Sequence, residues 1–241
     1  MKRQRLDEFL IERGQVADKQ SAFIVVTEGR VLVNGQKAIS PAQFVLPDDR
    51  IMVRGGDGYV GRGALKLDAA LEKFGIDVSG KICADIGAAT GGFTEVLLRR
   101  GAAKVYAIDT AYGKLVPKIR EDPRVVVMER TDVRNMADLP ESIDLVTIDV
   151  SLIPLEYILP SIKGLLAPNG EVVALLKPQY ETRDASVLRH GVVRDDAARE
   201  KILQNFLAWA KENTWTVKQH MQSPIRGGKG NREYLLHLCP L

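Results

Sequence analysis

Four ionisable residues in this 241-residue chain stand where an apolar run meets polar sequence. They are Lys66 in RGALKL, Asp149 in TIDVS, Lys177 in ALLKP and Glu233 in GNREYLLHL. Two lysines with two carboxylates suit one kind of work: the cations stabilise developing negative charge, and the acids hold them in register against their mutual repulsion. A hydroxyl that must lose a tightly held proton before it attacks is the substrate such a set would serve. Each residue also has a plain structural reading. Asp149 fits a helix cap, Lys177 the wet end of a strand and Glu233 a partner for Arg232. Lys66 fits a side chain whose stem packs beside the helical stripe Leu67, Leu71, Phe74 while its ammonium stays in water.

The stretch DIGAATGGFTEVLL sets Gly87, Gly91, Gly92 and Phe93 between a strand and a helix. Glycines there let a ligand approach the backbone, and the helix start offers unpaired N–H groups. The spacing is neither G-x-G-x-x-G nor the G-x-x-x-x-G-K-[ST] phosphate cradle. Asp109 ends the next apolar run, about two dozen residues after Asp85, where an acid accepts from two ribose hydroxyls. Asp132, after the third run, can accept from an adenine amino group; Asp85 and Asp149 add acceptors beside the glycine turn. Several carboxylates around a nucleoside, without a phosphate cradle, fit S-adenosylmethionine better than a dinucleotide, because its amino group and sulfonium are both positive. No cysteine or histidine grouping has metal-ligand spacing, so no metal is expected.

The elements that must position these groups are legible as alternation. KICADIG, KVYAIDT, RVVVMER, IDLVTIDV and EVVALLKP are short buried runs separated by helical stretches, the pattern of parallel strands with crossover helices. A polar loop over about 178–193 precedes a helix from Arg194 to Lys211. TWTVKQHM and REYLLHL then suggest an antiparallel pair at the end of the sheet. The fold class is α/β: a Rossmann-like domain with a mostly parallel seven-stranded sheet. Ahead of it lies a small α+β domain, with an amphipathic helix carrying Leu6, Phe9 and Leu10 and a second helix from Asp18 to about Glu28, closed by Gly29. VLVNG reads as a strand reaching an Asn-Gly turn and RIMVR as another strand. GGDG at 55–58 is a hinge, which divides the chain into residues 1–58 and 59–241.

Composition narrows the classes. With 45% hydrophobic and 27% charged residues the chain has enough apolar surface for a core, and a net charge of +3 permits an anionic partner without requiring one. Cys83 and Cys239 read as reduced thiols. No apolar run approaches the ~18 residues of a membrane span, and MKRQRLDEFL lacks the apolar core of a signal peptide, so the expected location is the cytoplasm and no membrane partner is expected.

DIGAATGGFTEVLL followed by YAIDTAYGKL resembles the cofactor half of a class I methyltransferase. RGALKL, IDLVTIDVS, EVVALLKP and NREYLLHL resemble, in order, the Lys-Asp-Lys-Glu tetrad of the FtsJ-type ribose 2′-O-methyltransferases. With RLDEFLIERG, EGRVLVNGQ and SPIRGGKGN the likeness runs over nearly the whole chain and is closer still to the TlyA family of haemolysin-like ribosomal RNA 2′-O-methyltransferases. That resemblance implies S-adenosylmethionine as cofactor and ribosomal RNA, or ribosomal subunits, as partner. It implies Lys66, Asp149, Lys177 and Glu233 as the catalytic set and Asp85, Gly87, Gly91, Gly92, Phe93, Asp109, Asp132 and Asp149 as the cofactor set. In that set Lys177 would act on the ribose hydroxyl, either as a cation beside the alkoxide or, once deprotonated, as the base.

The same resemblance makes residues 1–58 an RNA-binding domain of the ribosomal-protein-S-four type. Charge alone does not, since nine Lys+Arg there face eight Asp+Glu. Local grouping of Lys2, Arg3, Arg5, Arg13 and Lys19, with Arg62 in the linker RGGDGYVGRG, supplies the cations for phosphate contact. Where the family often opens the second helix with Ser-Arg, this chain has Asp18-Lys19, which keeps the cation and adds an acid. Three other readings are a base methyltransferase, a cytolysin and an RNA-binding module without activity. Against the first, Asp149 is followed by Val150-Ser151-Leu152 rather than by [DN]-P-P-[YF]; against the second, no long apolar span or basic amphipathic helix is present.

Overall fold

The computed structural model describes residues 3–16, 18–27, 29–53, 59–136 and 138–241. Lys2, Glu28 and the expected hinge at 55–58 lie outside the described residues. The chain divides into two compact units, Met1–Arg62 and Gly63–Leu241.

The first unit runs β1 (Gln4–Arg5), α1 (Leu6–Glu12), α2 (Lys19–Thr27), β2 (Val31–Val33), β3 (Gln36–Lys37), β4 (Phe44–Val45) and β5 (Ile51–Val53). Leu6, Phe9 and Leu10 share the buried face of α1 and pack with Ala22, Val25, Val26, Val31 and Val45. Asp18 Oδ1 accepts from the Ser21 amide at 2.7 Å, so the acid caps the second helix. β2 and β3 form a hairpin through Asn34 and Gly35, whose positive φ angles of 51° and 85° suit the tight turn that Asn-Gly favours. Of the cations expected to meet RNA, Arg3, Arg13, Lys19 and Arg62 are exposed. Arg13 lies over the Phe9 ring at 4.6 Å, and Lys19 pairs with Glu8 at 3.8 Å. Arg5 is clasped by Asp7 through bonds of 3.0 and 2.6 Å, so a phosphate there must compete with a bidentate carboxylate.

The second unit opens with α3 (Gly63–Phe74), then β6 (Ile82–Ile86), α4 (Gly92–Arg99), β7 (Lys104–Asp109), α5 (Pro117–Arg120), β8 (Val125–Glu129), β9 (Ile143–Ile148), α6 (Leu159–Ile162) and β10 (Leu166–Leu176). It continues through α7 (Pro178–Glu181), β11 (Leu188–Arg189), β12 (Val192–Val193), α8 (Asp196–Glu212), β13 (Trp215–Gln222) and β14 (Tyr234–Pro240). The seven-stranded sheet has the order β13-β14-β10-β9-β6-β7-β8. β14 is antiparallel to both its neighbours and sits between β10 and β13, so the last strand of the chain is inserted and β13 forms the edge. The stretch read as a polar loop over 178–193 contains α7 and the β11–β12 hairpin. Both are too short to leave an apolar period in the sequence. The order reverses between β6 and β9, which places a topological switch point at their carboxyl ends, where open α/β sheets bind ligands. Cys83 and Cys239 are both free thiols. Among the described residues no helix is long and apolar enough to cross a membrane.

Candidate active site

The four candidate catalytic residues come from four elements and meet as two ion pairs. Lys177, just past β10, bonds Asp149 Oδ1 at 2.6 Å through its Nζ, which also donates to Ser151 Oγ at 3.0 Å. Lys66 Nζ, on α3, lies 2.7 Å from Glu233 Oε2. The backbone brings the pairs together. β10 and β14 are antiparallel with Leu176 opposite Tyr234, so Lys177 and Glu233 occupy the next positions of the same ladder. Asp149 extends β9, its amide bonded to the Ile86 carbonyl at 2.9 Å. The start of α3 closes the ring: a Cβ on Gly63, one turn before Lys66, would lie 3.6 Å from Asp149 Oδ2. The residues are 8% (Lys66), 8% (Lys177) and 2% (Glu233) exposed, so these charges interact where water screens little. Lys66 is therefore not a snorkelling side chain; its ammonium is inside.

Two contributors carried no sequence signal of their own. Ser151 accepts from Lys177, two residues after Asp149 on the same strand exit. Gly227 lies so close to Glu233 that a Cβ there would run into its carboxylate.

Beside this set, at the switch point, lies a cavity of about 620 Å³, within the range of small-molecule sites. Of the expected cofactor residues it is lined by Gly87, Asp109, Asp132 and Asp149. Asp109 is held by backbone amides, Ala89 donating to Oδ2 at 2.8 Å and Ala111 to Oδ1 at 2.7 Å. Each oxygen keeps a lone pair for a ribose hydroxyl. That donor and acceptor chemistry fits a nucleoside cofactor. Asp132 is less free than its position in the sequence suggests. Arg134 bonds it through Nη2 at 2.6 Å and through its backbone amide, holding the carboxyl below the usual range, so an adenine amino group must share it with a guanidinium.

Asp85, Gly91, Gly92 and Phe93 do not line the cavity. Asp85 is fully buried and takes hydroxyls on both oxygens, Thr94 at 2.6 Å and Thr147 at 3.0 Å; it ties α4 to the sheet instead of facing a ligand. Gly87 and Gly91 each meet a packing need of the chain itself. A Cβ on Gly87 (φ 87°) would sit 2.6 Å from the Asp149 carbonyl, and one on Gly91 (φ 99°) 3.0 Å from Leu115. Phe93, 3% exposed, packs against Gly63 at the start of α3.

Burial pushes the Asp85 carboxyl up to about 7, outweighing its two hydroxyl bonds. Because the folded pKa lies above the unfolded one, the folded state binds the extra proton. Stability from this group is full below about pH 4 and is lost as pH rises through 7. Asp85→Asn removes that titration. Denaturant unfolding should show the wild type losing on the order of 4 kcal/mol relative to the variant between pH 4 and pH 8. A pH-independent difference would contradict this.

Residues 59–239 match the family of FtsJ-like methyltransferases. The 16S/23S rRNA (cytidine-2′-O)-methyltransferase TlyA of Mycobacterium tuberculosis is 41% identical, over 98% of this chain and 90% of that protein. A solved Streptococcus thermophilus structure bearing a hemolysin name superposes with a TM-score of 0.77 at 38% identity, covering 99% of this chain and 88% of the other. N-methyltransferase NodS from Bradyrhizobium japonicum, solved with S-adenosyl-L-homocysteine, shares the fold at a TM-score of 0.51 and 19% identity, over 72% of this chain and 85% of its own. With its parallel sheet and its switch-point cavity, this chain belongs to the FtsJ-like methyltransferase family.

Proposed function

We propose that the protein transfers a methyl group from S-adenosylmethionine to a ribose 2′-hydroxyl of ribosomal RNA, with cytidine, the nucleoside in the name of its M. tuberculosis relative, as the target. The observation that carries the reading is the pairing of Lys66 with Glu233 and of Lys177 with Asp149, three of the four side chains buried, at the edge of the cavity. S-adenosylmethionine, when bound, supplies an electrophilic methyl on a sulfonium. Asp109 would accept the ribose hydroxyls and Asp132 the adenine amine, while the Asp149 carboxylate, on the cavity wall, favours positive charge nearby. Lys177 is the group that meets the substrate hydroxyl. Asp149 and Ser151 fix its Nζ by two bonds of 2.6 and 3.0 Å, so its charge is aimed before the reaction begins. Lys66, held by Glu233, adds a second positive charge to the same edge. Alignment of the hydroxyl with the methyl is then chiefly positioning.

The first unit serves in this reading as the RNA anchor, a domain of the ribosomal-protein-S-four type. Its helix pair, the second helix capped by Asp18, and its Asn-Gly hairpin support that role, with Arg3, Arg13, Lys19 and Arg62 as phosphate contacts. A ribosomal RNA substrate puts the activity in the cytoplasm. The test is transfer of tritiated methyl from S-adenosylmethionine to naked ribosomal RNA and to ribosomal subunits. The expected outcome is label in RNA approaching one methyl per acceptor site; no label in either substrate would overturn the proposal.

A further inference from the structure

The catalytic unit carries a second concavity, about 390 Å³, between the segments 192–199 and 226–232. Its wall is cationic: Arg194, Arg199, Arg226, Lys229 and Arg232 face one acid, Asp196. That acid is already engaged, accepting from Arg232 at 3.0 Å and paired with Arg199. Arg199, 5% exposed, also donates to the carbonyls of Val193 (2.7 Å) and Arg194 (2.8 Å), so it braces the groove from beneath. Arg194 and Lys229, by contrast, are exposed and, among the described residues, have neither an ion pair nor a side-chain hydrogen bond. Arg226 donates to the Gly230 carbonyl at 3.5 Å, a long bond.

Exposed cations alone would be an ordinary solvated surface. Here the frame beneath them is built. Asn231, 3% exposed, accepts from the Val193 amide at 3.3 Å and donates to the carbonyls of Gly191 and Gly228 at 3.0 Å each, fastening one segment to the other. Lys229 is held at φ 56°, a conformation unfavourable for lysine, and so keeps its place on the turn at a cost. The same turn packs Gly227 against the Glu233 carboxylate, and Arg232 adjoins Glu233 in the chain. Whatever anion occupies the groove is therefore held next to the proposed catalytic ring.

We infer that this groove binds the phosphodiester backbone of the RNA strand that presents its ribose to Lys177. The inference rests on the proposed function and adds a substrate-holding surface within the catalytic unit, separate from the first unit. Several cations with one neutralised acid match a repeating anion better than a single carboxylate or an apolar ligand.

The test is binding of a naked ribosomal RNA transcript to the full chain at potassium chloride concentrations from 50 to 200 mM. The wild type is compared with the double variant Arg194→Gln, Lys229→Gln. Both residues are exposed, and cofactor affinity checks that the variant is folded. Its Kd should rise roughly tenfold per charge removed. The slope of log K against log salt should flatten by about 1.4, at ~0.7 per phosphate contact on a single strand. In turnover, KM for RNA should rise with kcat changed by less than about twofold, and Arg194→Lys, Lys229→Arg should restore binding. An unchanged Kd and salt slope would overturn the groove. An unchanged kcat/KM for RNA in the double variant also overturns the groove and leaves the proposed function standing. Groove-dependent binding without methyl transfer by the wild type overturns the function and leaves the groove.

Discussion

Lys177→Ala should lower methyl transfer by about 10³-fold while changing cofactor affinity less than about threefold. The asymmetry follows from where Lys177 stands. Its Nζ is fixed by Asp149 and Ser151, and it is not among the residues lining the cofactor cavity, so truncation removes the charge aimed at the reacting oxygen but no cofactor contact. The Lys177 side chain is 10% exposed and that of its partner Asp149 23%, so water can reach the carboxylate that the alanine leaves behind and the fold should survive. Single-turnover kinetics with calorimetric cofactor binding separates the two effects. Transfer within tenfold of wild type would remove Lys177 from the chemistry. A matching loss of cofactor affinity would make it a binding residue.

Glu233→Leu should be costly in a second way. It leaves the Lys66 ammonium inside without its 2.7 Å partner, and an unpaired buried charge costs ~3–5 kcal/mol. Activity should fall about as far as in Lys177→Ala, because Lys66 loses its register. The informative variant is the double one, Lys66→Met with Glu233→Leu. Replacing both members of a buried pair with apolar groups of similar volume restores most of the lost stability, since the desolvation penalty disappears along with the attraction. Activity should stay absent. Stability measured by denaturant unfolding would then separate from turnover, marking the pair as kept for chemistry. Recovery of both properties would make Lys66–Glu233 merely structural.

The central strands were legible because burial on both faces forces continuous apolar runs, and all seven runs read in the larger domain are strands of one sheet, the partly exposed edge strands β8 and β13 included. The insertion of β14 between β10 and β13 was not legible, since a run of apolar residues does not state its neighbour. The tetrad's residues could be named but not their pairing. Lys66 and Glu233 are 167 positions apart, and only the β10–β14 register together with the start of α3 brings them together. Asp85 shows the limit from the other side. It sits one residue before the end of β6, and the alternation of a strand turns it toward Thr94 and Thr147 rather than toward the cavity. Gly87 and Gly91 look like ligand-approach glycines, yet their immediate need is positive φ and clearance for the Asp149 carbonyl and Leu115. Arg5 likewise reads as a free cation until Asp7, two residues on, is seen to clasp it.

In the proposed reaction the two lysine–carboxylate pairs activate a sugar hydroxyl, not a base. Nucleoside analysis distinguishes the two. Ribosomal RNA methylated by the purified protein with tritiated S-adenosylmethionine is digested to nucleosides and, in parallel, hydrolysed with alkali. All the label in a 2′-O-methylated nucleoside, recovered as an alkali-resistant dinucleotide, is the outcome these pairs predict; label on a base, released as an ordinary mononucleotide, would contradict it.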